Sequence, residues 1–177
     1  MIQIEKFAQR RPVDAANFSI ITLGFGHAAV QAHHQLEIAT PGPGFVDITR
    51  DAVAWLRQIQ AHDGLLTLFL RHTSASLVIQ ENADPDVQAD LMDALSTLAP
   101  EDRPWQHTTE GPDDMPAHVK AMVTAPSLSI PVIEGKLVLG TWQAIYVVEH
   151  RTAPHRRELV LHYTGTATAI PDPSVRR

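Results

Sequence analysis

The stretch Leu65-Leu-Thr-Leu-Phe-Leu-Arg-His-Thr-Ser-Ala-Ser-Leu-Val-Ile79 separates into three parts. Leu65 to Leu70 is almost wholly apolar yet too short for a helix, which predicts a strand buried on both faces. Leu77 to Ile79 predicts a second strand. Between them Arg71, His72, Thr73 and Ser74 form a polar hinge that a buried strand delivers to its end.

Working toward the N-terminus, Ala28 to Ile38 alternates between apolar and polar residues and meets Pro41-Gly-Pro-Gly44, a strand followed by a turn. A short strand at Phe45 to Ile48 follows. Thr49 is placed to cap a helix whose apolar face is Val53, Trp55, Leu56 and Ile59, with Asp63-Gly64 as its terminator. Residues 1–27 have no firm period and are assigned to an extension or an added edge strand.

Toward the C-terminus, Asp84-Pro85 is a helix start: the aspartate caps, proline takes the first position, and Asp86 sits at the positive dipole end. Val87, Leu91, Ala94, Leu95 and Leu98 predict its buried stripe, and Pro100 stops it. The polar segment up to Pro116 is expected to be a long functional loop, with a short helix beginning near Pro116. Beyond it a β-meander is expected: Ser127 to Ile133, a Glu134-Gly135 turn, Lys136 to Leu139, Thr141 to Glu149 and Glu158 to Tyr163. The tail 166–177 is expected to fray. No internal repeat is present, and 177 residues suit one α+β domain over 28–165.

A formal charge of −6 argues against nonspecific nucleic-acid or anionic-membrane binding, which requires clustered positive charge. Absence of cysteine leaves histidine and carboxylate as the strong metal ligands. The first residues do not read as a signal peptide, and no run of roughly 18 apolar residues occurs, so a cytoplasmic location is expected.

Charge is segregated. Between Glu81 and Asp114 lie ten of the twenty acidic residues against one base, Arg103. Asp90, Asp93, Glu101 and Asp102 are explained as a solvated helix face or end, and Asp84 and Asp86 by capping and the dipole. Glu81 and Asn82 have no such explanation, and they stand at a strand-to-helix junction where sites are commonly built.

A second constellation is His107 with Glu110, Gly111, Asp113, Asp114, His118 and Lys120. Two or three histidines with carboxylate or water suit zinc or another divalent ion. His107 and His118 are eleven residues apart, so their meeting depends on the loop folding back, and a hydrogen-bonded surface histidine is the plainer alternative for each. His72 beside Thr73, Ser74 and Ser76 suggests a nucleophilic pair, but no Gly-x-Ser-x-Gly elbow supports it, and a base or ligand role suits His72 better. His155, Arg156 and Arg157 make a basic spot in which alternation lets one arginine face a site. Trp142 and Tyr146 read as packing, and Lys136 as a hairpin charge.

His72-Thr-Ser-Ala-Ser76, Glu81-Asn-Ala-Asp-Pro-Asp86, His107 with Glu110-Gly111, Ala117-His118-Val-Lys120, Ser127 through Ile130-Pro131, and Leu139-Gly-Thr-Trp-Gln143 with Ile145-Tyr146 and Glu149 together resemble the YjbQ, or secondary thiamine-phosphate synthase, family. The likeness spans Gln35 to Gly165. It implies an α+β fold with a bulky, mostly antiparallel sheet and two main helices, assembled as a homotrimer with the site near a subunit boundary. It also implies a weak thiamine-phosphate synthase activity, which joins hydroxymethylpyrimidine diphosphate to thiazole phosphate and releases pyrophosphate. On that basis His72, His107 and His118 are expected as metal or phosphate ligands, with Glu81, Asp86 and His118 as acid/base groups. Asn82, Lys120, Gln143 and Arg156 are expected to contact a small phosphorylated metabolite. A divalent metal, zinc or magnesium, is the expected cofactor, with no organic one. The competing expectation is a noncatalytic trimeric module that only captures such a metabolite or a metal.

Overall fold

Every strand residue other than proline carries an amide N–H and a carbonyl that need partners once buried, and the strand His155–Thr168 meets that need along both edges. In a computed structural model of the chain, which describes residues 11–12, 17–22 and 27–168, the elements run in this order. The first half holds β1 (Arg11–Pro12), β2 (Asn17–Thr22), β3 (His27–Thr40), β4 (Gly44–Asp47), α1 (Thr49–Gln58), β5 (Ala61–Leu70) and β6 (Ala75–Glu81). The second holds α2 (Pro85–Leu98), α3 (Asp114–Val123), β7 (Ser127–Ile133), β8 (Lys136–Leu137), β9 (Gln143–Glu149) and β10 (His155–Thr168).

The strands form two sheets, and all their pairings are antiparallel. The larger runs β1-β3-β10-β5-β7-β8, with β2 also on β3, and the smaller runs β4-β9-β6. β10 pairs with β3 from His155↔Thr40 to Thr168↔His27 and with β5 from Leu159↔Leu70 to Ala167↔Ala61. That register lines up apolar rows on the inner face, for example Ala32, Tyr163, Leu66 and Ile130. Trp55 and Leu56 of α1 and Leu77, Ile145 and Val147 of the smaller sheet join this face in one buried cluster. The chain is thus α+β with a large antiparallel sheet, and three helices stand among the described residues. None of these helices is long and apolar enough to cross a membrane.

Several expectations are corrected. The C-terminal strands are not a meander: β9 leaves for the smaller sheet, and β10 inserts between β3 and β5. The physical reason is burial. Ala144 to Glu149 are all buried, so β9 is the strand that needs cover on both faces. β5 needs it on one only, with Leu66, Leu68 and Leu70 inward and Leu65 and Phe69 43% and 49% exposed.

Thr49 does not cap α1. Its hydroxyl accepts the Ile145 amide at 2.8 Å, while Asp47 accepts the Thr49 amide at 2.8 Å. The helix ends at Gln58, and Asp63-Gly64 lies inside β5. No α2 residue is fully buried, and Leu98 is exposed, because α2 rests on β4 and α3 at the periphery. The Asp84-Pro85 start stands, with Asp84 accepting the Asp86 amide at 2.9 Å. So does the Glu134-Gly135 turn, where both residues adopt positive φ. β1 and β2 add to the outer edge of β3; residues 1–10 of the extension and 169–177 of the tail lie outside the described residues.

Gly64 is required by the close approach of β5 to β10. A Cβ there would lie 2.4 Å from the Thr164 carbonyl oxygen. Gly64→Ala is therefore expected to destabilise the fold by about 1–3 kcal/mol through overpacking, measured by chemical denaturation. An unchanged midpoint would contradict that close approach.

Candidate functional site

Asp113 and Asp114 stand where the loop turns into α3. Asp113 occupies the N-cap position without capping; its Oδ2 instead accepts the Thr152 amide at 2.8 Å, the Thr152 hydroxyl at 3.0 Å and Arg151 Nε at 3.0 Å. Burial works to raise the Asp113 pKa, but these hydrogen bonds from Thr152 and Arg151 hold it at about 2.

Asp114 is 1% exposed. Its Oδ2 lies 2.9 Å from His107 Nε2 and 3.3 Å from His118 Nε2, while Oδ1 accepts Arg151. His118 follows Asp114 by four residues, one helical turn, which stacks the two side chains on one face of α3. The two imidazole rings meet edge to face with centroids 5.9 Å apart. Thus the loop does fold back, and one ligand atom from each of His107, Asp114 and His118 falls within 4.8 Å of the others.

The second nitrogen of His118 decides its tautomer. Nδ1 is 3.1 Å from the Thr73 carbonyl, which can only accept, so Nδ1 carries the hydrogen. In the neutral ring Nε2 then presents a lone pair to a carboxylate oxygen, an arrangement that calls for a cation or a proton between them. Two imidazoles and one carboxylate fit zinc or another first-row ion better than magnesium, which prefers oxygen. A metal-bound histidine that donates its other N–H to a backbone carbonyl is also the usual outer-shell pattern.

His72 reaches the same cavity but not the donor cluster. Its Nε2 accepts the Glu158 amide at 2.7 Å, so the neutral ring has its hydrogen on Nδ1 and no lone pair left for a metal. Burial, with the Arg157 charge, lowers its pKa against Glu158 and Glu149, which favours that neutral form. With His118, Ala121, Met122 and Pro126 it lines a cavity of about 270 Å³. A second cavity, of about 460 Å³, shares His72, Thr73 and Pro126 with it and is also lined by Phe69, Arg71 and Ser74.

Other expected residues are not gathered there. Lys120 sits two residues beyond His118, on the opposite side of α3, and is 7% exposed. Burial pushes its amine pKa down against Glu101 and Asp113, so it is no open anion contact. Arg156 points to the outer face of the large sheet and pairs with Glu37. Arg157 is the arginine that turns inward, with Nε 2.7 Å from Glu149 Oε2. Glu81 and Gln143 face each other at one end of β6 and β9, whereas Ala75 and Glu149 pair at the end near the histidines. Six residues of strand separate the ends, about 20 Å. Asn82 and Asp86 lie beyond Glu81 and are exposed, and Gln143 accepts the Gly140 amide at 2.8 Å. Within one chain this group does not meet the histidine cluster.

The profile of the family described as UPF0047 protein YjbQ-like matches residues 34–166. The chain belongs to this YjbQ-like family. It is 48% identical over 141 residues to a UPF0047 protein of Synechocystis sp., covering 78% of this chain and 96% of that relative. It is 36% identical over 131 residues to the UPF0047 protein YjbQ of Escherichia coli O157:H7, covering 73% and 95%. A crystal structure of a conserved hypothetical protein from Thermus thermophilus superposes with a TM-score of 0.64 at 40% identity, covering 71% of this chain and 96% of that one. A YjbQ-like fold therefore frames the cluster, and His72, His107, Asp114, His118 and Arg151 all fall inside the matched span.

His150 lies next to this region, 2% exposed, with Nε2 2.9 Å from the buried Ser76 hydroxyl. Burial, reinforced by Lys120, lowers its pKa to about 4 from the usual 6.5. A base depressed in the folded state stabilises the fold fully above its unfolded value and loses that contribution as pH falls from about 6.5 toward 4. The loss amounts to roughly 3 kcal/mol. Asp113 acts only lower, as pH falls from the usual carboxylate range toward 2. Denaturation of the wild type and His150→Gln at about pH 7.5 and about pH 4 should show a shallower acid loss in the variant. Parallel losses would contradict the assignment.

Proposed function

We propose that the chain is a cytoplasmic, transferase-like YjbQ enzyme in which His107, Asp114 and His118 hold a divalent metal and the adjoining cavity takes a small phosphorylated metabolite. Thiamine-phosphate synthesis is the side activity that the family resemblance implies. The observation that carries the proposal is the convergence of His107 Nε2, Asp114 Oδ2 and His118 Nε2 within 4.8 Å of one another, with His118 Nδ1 turned to the Thr73 carbonyl. Zinc is the favoured ion because the donor set holds two nitrogens.

A divalent ion bound there supplies Lewis-acid neutralisation of the charge that develops on a departing pyrophosphate. The protein's own groups do the rest. The Thr73 carbonyl fixes the His118 ring, and Ala121, Met122 and Pro126 line an open cavity beside it. His72, neutral and with Nε2 already engaged, offers Nδ1–H as a hydrogen-bond donor to a phosphate oxygen. The homotrimer implied by the resemblance is the arrangement in which Glu81, Asn82, Asp86 and Gln143 of one chain would approach the histidines of another.

The noncatalytic alternative also has an observation behind it. His107, Asp114 and His118 engage one another, and Glu81 and Asp86 stand at the far end of the smaller sheet, so one chain offers no acid/base group from that pair at the cluster. Elemental analysis of zinc-loaded wild type and His118→Ala, followed by a product assay with hydroxymethylpyrimidine diphosphate and thiazole phosphate, tests both. The enzyme account expects one zinc per chain, lost with turnover in the variant. Zinc binding and metabolite binding without product favours the capture module, and equal zinc content in the two proteins contradicts the metal site.

A further inference from the structure

We infer that Arg151 is a positioning residue that confines Asp114 to offering one carboxylate oxygen toward the metal position and fastens the loop that carries His107; this rests on the metal site proposed above. The guanidinium makes three separate contacts. Nε donates to Asp113 Oδ2 at 3.0 Å, one terminal nitrogen donates to Asp114 Oδ1, and the other donates to the Glu110 carbonyl at 2.7 Å. Its side chain is mostly buried.

These contacts divide the work of the Asp114 carboxylate. Oδ1 is taken by the arginine, and Oδ2 alone faces the two imidazoles. A carboxylate with both oxygens free can chelate a metal through either or both, whereas a charged hydrogen bond on Oδ1 draws off its electron density and favours coordination through the other oxygen. Neither Asp113 nor Thr152 can substitute, since neither touches Asp114 Oδ1 among the described contacts.

Arg151 is itself held from behind. Its amide donates to Glu149 Oε1 at 2.9 Å, and Glu149 is fully buried on Arg157 and Thr40. In front, it pins Glu110, three residues after His107. The fit there is close: Gly111 adopts φ +107°, and a Cβ on it would lie 3.1 Å from Asp113 Oδ1 and 3.9 Å from Arg151. One side chain therefore links the end of β9, the start of α3 and the His107 loop.

The test uses the full chain, stripped of metal and titrated with Co²⁺, with zinc competition for affinity and the visible band for coordination number. Relative to wild type, Arg151→Gln is expected to bind about 10- to 100-fold more weakly, as loss of outer-shell partners commonly does. Its cobalt band should also weaken, because the freed Oδ1 raises the coordination number above four. Arg151→Lys, which restores the charge on Oδ1 without the fork, should recover part of both. If Arg151→Gln fails to fold, Asp113→Asn takes its place, since it loosens the guanidinium and leaves all three donors intact; the same weakening is expected. Wild-type affinity and band in these variants, with binding lost in His118→Ala, would overturn the role of Arg151 and leave the metal site standing. Equal cobalt binding in wild type and His118→Ala would overturn the metal site and this inference with it.

Discussion

The carboxylate of Glu149 joins the two sheets. It is fully buried at the end of β9, yet it accepts the Thr40 hydroxyl from β3 at 2.6 Å, Arg157 from β10, and the amides of His150 and Arg151. A buried charge without such partners is strongly destabilising, and removing one partner of a buried pair typically costs about 3–5 kcal/mol. The burial and the hydrogen bonds pull its pKa in opposite directions, and the bonds from Arg157 and Thr40 prevail, keeping it ionised. Arg157 also reaches back to the Ser74 carbonyl in the polar hinge. The smaller sheet is thereby locked to the larger one at the end where the histidines gather.

Everything at the candidate site is built outward from that junction. Residues 150–152 leave Glu149 in a fixed direction, His150 turning inward to Ser76 and Arg151 outward to the two aspartates. The hinge supplies the Thr73 carbonyl that orients His118. Asp114 completes the cluster because α3 begins early enough to place it one turn before His118. The acidic group at Glu81 belongs to the other end of the same strand pair, which explains why a run of carboxylates adjacent in sequence divides into two places in the fold.

Local chemistry was legible in the sequence, and non-local pairing was not. Asp84-Pro85 and Glu134-Gly135 each specify their own backbone within a few residues, and both stand as expected. Leu65 to Leu70 was legible as a strand, but its outward Leu65 and Phe69 concealed the alternation that would have marked one face as exposed. The insertion of β10 between β3 and β5 depends on partners more than a hundred residues apart in one case, for which no short pattern exists. Alternation required that one of Arg156 and Arg157 face inward, but only the register with Ile38 and Ala39 shows which. His107 and His118 were recognisable by type. Asp114 stood among the carboxylates beside them, but starting the helix at Pro116, two residues late, hid its four-residue helical spacing to His118. Arg151 carries no local signature, because its role comes from contacts across the fold.

A cation shared by the three facing side chains is the feature on which the proposed chemistry depends. Anomalous X-ray scattering above and below the zinc edge, from crystals of the full chain grown with zinc, addresses this directly. The expected result is a zinc peak bonded to His107 Nε2, Asp114 Oδ2 and His118 Nε2, with Arg151 still on Asp114 Oδ1. Zinc bound elsewhere, with the two imidazoles hydrogen-bonded directly to Asp114, would contradict it.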